Sequence, residues 1–508
     1  MLYKDNKVAG EINMTLGNLL SEQARNIPEK VCIKFGDQKI TYAEMADRVS
    51  NIAGGIIALG LKHGDRAAIL MDNCPEYIIS YFAILSAGGI AVPINTFLTP
   101  GEIAFILKDC GCKLLIFSGK FSSHAEDINK RLPDVIQTDF QSISHKKTDP
   151  LTVNDDDVAV LLYTSGTTGF PKGAMLTHRN LISNAEACKQ VMQFSQKDRI
   201  LLFLPLFHSF SFTVCVILPV YAGAQIVLLA SVRPFSLVIK SIFRDRITFF
   251  VAVPTVYNIL AKKKVPFFLK LVLKLLIRIR ACVSGAAALP EDTMHAIEER
   301  FGVPLIEGYG LTEASPVVAV NPLKGERKPS SAGRPLPGVE AAVIGEDGRT
   351  LPVGETGELL VKGPNVMKGY WGRTEETEAV LKNGWLYTGD MARIDTDGYI
   401  YIVDRKKDLI IVDGMNVYPR EIEDHVIKHP SVEECAMVGI ADGKGSEITV
   451  LFIVRKENAV LEEKEVRDSM KGHLAAYKIP RRIVFIEEFP KTATGKIKKT
   501  ELRRMKLF

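Results

Sequence analysis

Long uninterrupted apolar runs are missing from this sequence. The richest apolar stretch, 201–230, is broken by Pro205, His208, Pro219 and Gly223, so it reads as buried elements rather than a bilayer span. Charge of one sign is also scarce: 64 Lys and Arg against 59 Asp and Glu leave a net +5. Spread over the whole chain, that excess cannot build the field a polyanion partner requires, and no nucleic acid is expected. Cysteine is sparse and scattered (Cys32, Cys74, Cys110, Cys112, Cys188, Cys215, Cys282, Cys435), with only Cys110 and Cys112 close together. That spacing suits neither a zinc knuckle nor a CxxC redox pair, so reduced thiols in a cytoplasmic protein are expected. The opening MLYKDNKVAGEINMTLG has no apolar core between a basic flank and a cleavage site, and is not expected to act as a secretory signal.

What is present is ordinary globular composition, 47% hydrophobic and 24% charged over 508 residues, enough for two or three domains of roughly 150 residues each. Strand and helix signals alternate through the first part. VCIKF and KITY flank a Gly36-Asp37 turn, and Thr41 with Glu44 forms a capping box ahead of a helix to about Leu59. AAILM (67–71), a helix over 75–87, GIAVPI, a helix opened by Thr99-Pro100 and KLLIF (113–117) follow as repeated βα units. The alternation resumes with VAVLLYT (158–164), RILLFLP, IVLLA, TFFVAVP and RACVSG, which predicts a large α/β region with mostly parallel sheet. After about Ser330, short strands and Gly/Pro turns predict a small antiparallel sheet or barrel. From Asp404 a third texture begins, with a helix over 419–428, strands near 434–440 and 447–454, a helix over 462–475 and a strand IVFIE. The expected fold is therefore α/β: a large N-terminal domain (1–404) with a β-barrel-like subdomain, then a small α+β C-terminal domain (405–508).

Chemistry concentrates in a few segments. In LLYTSGTTGFPKGAMLTH (161–178) an apolar strand runs into Thr164, Ser165, Thr167 and Thr168, with Gly166, Gly169 and Gly173 between them and Lys172 beyond. Glycines let backbone N–H groups approach an anion, hydroxyls add donors and the lysine adds charge, so the segment reads as a phosphate cradle. It is not a Walker A loop, since Gly173 rather than Ser or Thr follows Lys172, and AMLT reads as a strand. EGYGLTEASP (307–316) adds Gly308, Gly310, an aromatic face at Tyr309, a hydroxyl at Thr312 and a carboxylate at Glu313. Near the end, PKTATGKIKKTEL (490–502) carries Lys496 after Gly495. An ammonium there suits a reaction whose negative charge builds between a carboxylate and a phosphorus.

These segments, in this order, resemble the adenylate-forming superfamily of acyl-CoA synthetases, peptide-synthetase adenylation domains and firefly luciferase. GPNVMKGYW, NVYPREIE and PLFHSF resemble most its bacterial AMP-forming fatty acyl-CoA synthetases, the long-chain fatty-acid–CoA ligases. The resemblance implies that ATP with Mg2+ and an acid give acyl-AMP and pyrophosphate, and that CoA then displaces AMP. It implies an ATP site of Thr164, Ser165, Gly166, Thr167, Thr168, Gly169, Lys172, Gly285, Ala286, Gly308, Tyr309, Gly310, Thr312, Asp390, Arg405 and Lys496. Glu313 is implied as the Mg2+ ligand, Tyr309 as the adenine partner, Thr312 as the α-phosphate partner, and Asp390 and Arg405 as partners of ribose or phosphate oxygens. SGAAAL (284–289) resembles the adenine loop, with Ala288 where proline is common. Lys496, Thr312, Glu313 and His208 are the implied catalytic set.

His208, Phe212 and Gly308 are implied to line the acyl site, Lys407 to be the hinge of a rotating C-terminal domain, and Gly414 to flank the thiol channel. Asp413 replaces a glycine frequent in relatives, and ADGKGSE (441–447) is shorter than the usual loop. No charged side chain stands among the acyl positions, which argues against amino-acid substrates. KVPFFLKLVLKLLIRIR (264–280) spaces Lys270, Lys274 and Arg278 four apart on an apolar helix, which fits a peripheral contact with the inner face of the membrane or a buried helix with snorkelling lysines. A homodimer is compatible with the sequence. The alternatives are a coumarate-type aryl-CoA ligase, an acyl-AMP ligase loading a carrier protein and, from a different class, a catalytically silent lipid-binding protein.

Overall fold

The computed structural model describes residues 14–164, 171–262, 277–412, 415–441, 447–491 and 497–505. They fall into two compact units. One comprises Met1–Ala341, Val361–Tyr387 and Asp397–Ile400, the other Ala342–Leu360, Thr388–Thr396 and Tyr401–Phe508.

In the first unit the local signals set the element boundaries. Thr41 accepts from the Glu44 N–H while the Glu44 carboxylate accepts from the Thr41 N–H, and this capping box opens the helix Tyr42–Ala58. Thr99 with Glu102 opens Pro100–Asp109 in the same way, and Thr177 with Asn180 opens His178–Val191. The alternating strands sort into two sheets. A seven-stranded sheet runs Gly369–Tyr370, Lys172–Thr177, Val158–Thr164, Ile90–Pro93, Arg66–Leu70, Leu114–Phe117 and Ile136–Asp139. A nine-stranded sheet runs Arg334–Pro335, Val317–Val320, Leu305–Gly310, Ala281–Ser284, Phe249–Ala252, Arg199–Leu202, Gln225–Leu228, Val31–Phe35 and Gln38–Thr41.

Inner strands such as Ile90–Pro93, Phe249–Ala252 and Ala281–Ser284 are buried at every position, as parallel strands covered on both faces must be. The seven-stranded sheet turns antiparallel toward one end, and the nine-stranded sheet at both, where Val31–Phe35 also pairs antiparallel with Gln38–Thr41. Val158–Thr164 pairs antiparallel with Lys172–Thr177, and Leu305–Gly310 with Val317–Val320. The chemistry-bearing turns sit at these reversals. The aromatic segment beyond Pro205 is less regular than a simple helix: a short helix Ser209–Phe212 passes into a π turn, Thr213–Ile217, and then into Leu218–Ala222.

In the second unit, Val432–Ala441 pairs antiparallel with Glu447–Arg455, which pairs parallel with Arg482–Phe485. Alternation along the first strand divides its side chains between two cores, Cys435 and Met437 on one face, Ala436 and Val438 on the other. The helix expected over 462–475 is shorter, Glu463–Met470, because Lys471 is extended (ψ 133°) and Gly472 takes a positive φ of 78° that turns the chain. Of the short strands expected after Ser330, Glu340–Ile344 and Gly357–Lys362 form; Trp385–Ile394 and Ile400–Arg405 follow them, and all four have residues in both units.

All eight cysteines are free thiols, and all but Cys74 are buried. Burial pushes the thiols of Cys32, Cys188 and Cys282 up to about 12. Among the described residues no helix is long and apolar enough to cross a membrane.

Candidate active site

Thr164 and Lys172 are Cα partners across the antiparallel pair, so the two ends of the hydroxyl- and glycine-rich stretch meet in register at a sheet end. Ser165, Gly166, Thr167, Thr168 and Gly169 lie outside the described residues, as do Asp413, Gly414, Lys496, Lys270, Lys274 and residues 442–446. Lys172 itself is largely buried, with its side chain 13% exposed. Its ammonium lies 5.4 Å from the centroid of the Tyr370 ring and 3.9 Å from Glu376 Oε1.

Tyr309 and Gly310 end the strand Leu305–Gly310, and the chain then folds back tightly. The Leu311 N–H donates to the Pro316 carbonyl at 3.0 Å, and a Cβ on Gly310 would come within 2.2 Å of that same oxygen. Only glycine fits there. The resulting turn, Thr312–Ala314, is held from outside by the Met367 N–H on the Glu313 carbonyl (2.8 Å) and by Asn365 Nδ2 on the carbonyls of Ala314 and Val317 (3.0 and 3.1 Å). Thr312 and Glu313 therefore project from a braced backbone.

The other predicted segments of this unit converge on the turn. Ser209 Oγ lies 3.4 Å from Thr312 Oγ1, which ties the aromatic segment to it. Gly285 lies so close to Phe210 that a Cβ would meet the ring at 2.8 Å, and the adjacent Ala286 adopts a left-handed φ of 70°. The Leu289 N–H donates to Glu307 Oε1 at 3.0 Å and fastens the same loop to the strand carrying Tyr309. His208 precedes the helix Ser209–Phe212, with its ring 4.6 Å from that of Phe207. Phe212 is buried and stacks on Tyr81 with centroids 3.8 Å apart, while Tyr77 lies 6.3 Å away. Gly308 packs against Ala319 and Val320, where a Cβ would lie 3.2 Å from the Ala319 carbonyl oxygen. Strand packing is thus a reason for that glycine which its spacing alone did not reveal.

Tyr370, Glu376 and Ser209 went unassigned in the sequence. Tyr370 OH donates to Glu313 Oε1 at 2.9 Å across 57 positions of chain, a separation over which no local pattern carries information. Burial, and then the Glu313 carboxylate, push the Tyr370 pKa up, so it is a neutral donor.

In the second unit, Asp390 is buried and Arg405 is half-exposed, with Arg405 Nε 3.5 Å from Asp390 Oδ1. Lys406 pairs with Glu358 at 2.7 Å. Partial burial, and then the neighbouring Arg405 charge, lower the pKa of Lys407.

Glu313 also fits the magnesium expected from the sequence. Its carboxylate accepts at one oxygen from the Tyr370 phenol and offers hard oxygen donors at a braced turn. Among the described residues no group of three or more His, Cys, Asp or Glu side chains could hold a metal. Mg2+ takes one or two carboxylates and completes its shell with phosphate and water, so a single carboxylate at this turn fits it.

A braced hydroxyl, an ammonium and a carboxylate gathered at sheet ends are a donor set suited to phosphate oxygens. The model of the AMP-binding enzyme family matches residues 20–371, and that of the AMP-binding enzyme C-terminal domain matches 421–496. The chain is 35% identical to the long-chain-fatty-acid–CoA ligase of Bacillus subtilis (strain 168), over 96% of this chain and 94% of that one. It is 36% identical to a feruloyl-CoA synthase of Amycolatopsis sp, over 97% and 99% of the two chains. Its fold matches the crystal structure of ATP-bound MatB from Rhodopseudomonas palustris with a TM-score of 0.89 at 31% identity, covering 96% of this chain and 98% of that one. The chain belongs to the AMP-binding enzyme family.

Proposed function

We propose that the acid activated by this adenylate-forming CoA ligase is a long-chain fatty acid. The observation that supports the reading is the aromatic surroundings of the segment that begins at His208. Phe207 lies against the His208 ring, and one helical turn on Phe212 is buried against Tyr81 and Tyr77. Such a wall suits a chain that brings apolar surface and no charge. The similarity to the Bacillus subtilis ligase supports the same reading. A second reading, an aromatic acid, is favoured by the equal similarity to the feruloyl-CoA synthase.

The reaction has two steps. The carboxylate attacks the α-phosphorus of ATP in line, pyrophosphate leaves, and acyl-AMP forms. The CoA thiolate then adds to the acyl carbonyl and AMP departs, with no covalent enzyme intermediate. Mg2+, when bound, neutralises the triphosphate and the departing pyrophosphate. In our assignment Glu313 holds that ion, and Lys172 with Thr164, Ser165, Gly166, Thr167, Thr168 and Gly169 takes the phosphate charge. Thr312 donates to the α-phosphate, while Gly285, Ala286, Gly308, Tyr309 and Gly310 form the nucleoside side of the site. Asp390 and Arg405 take ribose or phosphate oxygens. Lys496 supplies the ammonium that offsets charge developing between carboxylate and phosphorus. His208 lies by the acid, with Phe212 and Gly308 along its chain. We place the domain boundary after Asp404, with Lys407 as the hinge and Gly414 beside the incoming thiol.

The deciding experiment follows AMP release with CoA over saturated acids from acetate to stearate, with ferulate and indoleacetate alongside. The highest kcat/KM is expected among the long saturated acids. A maximum at ferulate would replace the fatty-acid reading with the aromatic one. Acid-dependent AMP formation without a CoA thioester would point to a carrier-protein acceptor, and absence of acid-dependent pyrophosphate exchange into ATP would leave a lipid binder.

A peripheral membrane contact through Lys270, Lys274 and Arg278 belongs to the same reading. Reversing these three charges is expected to abolish binding to anionic vesicles and to leave activity on a short soluble acid unchanged. A cytoplasmic homodimer completes the proposal, with sedimentation equilibrium as its check.

A further inference from the structure

The segment GPNVMKGYW, read in the sequence only as a marker of subfamily, occupies a specific place in the first unit. Gly369–Tyr370 pairs antiparallel with Lys172–Thr177, in register Gly369↔Met175 and Tyr370↔Ala174. The Trp371 N–H donates to the Gly173 carbonyl at 2.8 Å, and the Lys368 N–H to the Met175 carbonyl at 2.9 Å. The backbone beside Tyr370 is thus locked to the strand that begins at Lys172. Its side chain then meets two groups of opposite charge. The ring face lies 5.4 Å from the Lys172 ammonium, and the hydroxyl donates to Glu313 Oε1 at 2.9 Å.

An ammonium and a carboxylate gathered in one site tend to pair with each other, which would withdraw both from a bound triphosphate. A tyrosine between them prevents this. Its ring attracts the cation through the quadrupole without cancelling its charge, and its phenol orients the carboxylate without supplying a counter-charge. An arginine or lysine in its place would pair with Glu313, and a carboxylate would add a second anion to the one Lys172 already faces, Glu376 Oε1 at 3.9 Å.

We propose that Tyr370 is a positioning residue for adenylation: it keeps Lys172 and Glu313 from pairing with each other, so that one takes the phosphates directly and the other through Mg2+. This rests on the assignment of Glu313 to the metal made above. Tyr370 touches no reacting atom in this role and acts through its two neighbours.

Calorimetric titration separates the two functions of the side chain. ATP is titrated into the full-length protein twice, once with Mg2+ and once with EDTA. Tyr370→Phe keeps the ring and removes the hydroxyl, so MgATP affinity is expected to fall roughly 10-fold, the loss typical when a partner of a metal ligand is removed. Metal-free ATP affinity is expected to stay within about twofold, since Lys172 keeps its ring. Tyr370→Leu removes the ring too, and is expected to weaken both titrations. In turnover, Tyr370→Phe is expected to lower kcat and to leave the KM of the acid unchanged. Equal weakening of both titrations by Tyr370→Phe, or no weakening of either, overturns the proposal. Glu313→Gln is the control for the reading beneath it. If that variant binds MgATP as tightly as the wild type, the metal assignment itself is wrong. If it loses the Mg2+ effect while Tyr370→Phe retains it, only the role of Tyr370 is refuted.

Discussion

His178 shows how one buried group ties the fold to pH. Its Nδ1 accepts the Leu16 N–H at 3.1 Å, joining the helix Leu16–Asn26 to the helix His178–Val191. Burial lowers its pKa to about 4 from the usual 6.5. Protonating that nitrogen would break the bond, so the folded state resists the proton that the unfolded chain takes up. Stability from this group is complete above about 6.5 and is lost as pH falls toward about 4, on the order of 3 kcal/mol across the window. Urea unfolding at stepped pH checks this, because His178→Asn, which keeps an acceptor but does not titrate, is expected to flatten the decline. At the same scale the sequence was informative only in part. The glycine at 310 was assigned from its motif, whereas its physical reason, a carbonyl oxygen 2.2 Å from the position of a Cβ, lies in the folded turn.

Among the elements, those with local signals were the legible ones. The box at Thr41, the helix start at Thr99-Pro100, the Gly36-Asp37 turn and the strand after Lys172 all follow from neighbours in sequence. The pairing of Val31–Phe35 with Gln225–Leu228 does not, since nothing near Ile33 specifies Ile226 as its partner. The π turn at Thr213–Ile217 was also invisible, because continuous apolar sequence fits either helix type. Asp109 illustrates a tie between elements that spacing hides. It accepts from Tyr163 OH at 2.7 Å and from Arg373 Nη2 at 2.8 Å, linking the end of Pro100–Asp109 to the strand before the phosphate stretch and to the turn after Tyr370. Asp109→Ala is expected to cost about 2 kcal/mol in chemical denaturation, more than an exposed pair would, because it leaves a partly buried phenol and guanidinium without their acceptor. Tyr163→Phe in that background is expected to recover part of the loss.

At the scale of the whole chain, the texture change near Asp404 was read as a junction, and the second compact unit also takes in Ala342–Leu360 and Thr388–Thr396. Asp404 is buried, and its carboxylate accepts the N–H groups of Arg405 (2.7 Å) and Arg420 (2.9 Å). The second of these is an orphan donor in the first turn of the helix Pro419–Val426. A cut after Asp404 discards this cap. A fragment of residues 401–508 is therefore expected to resist urea better than one of 405–508, by about 1 kcal/mol. Lys496→Ala tests the other end of the chain. Acid-dependent pyrophosphate exchange is expected to fall at least roughly 100-fold, with thioester formation from supplied acyl-AMP far less affected. Equal losses in both assays would remove Lys496 from the first step.

Sequestration of seven of the eight thiols gives the native molecule near silence toward thiol reagents. With seven of them sealed in the interior, a maleimide dye should label the folded protein feebly at neutral pH and brighten only as the chain opens. A built-in clock for unfolding is thus available without introducing a single foreign residue.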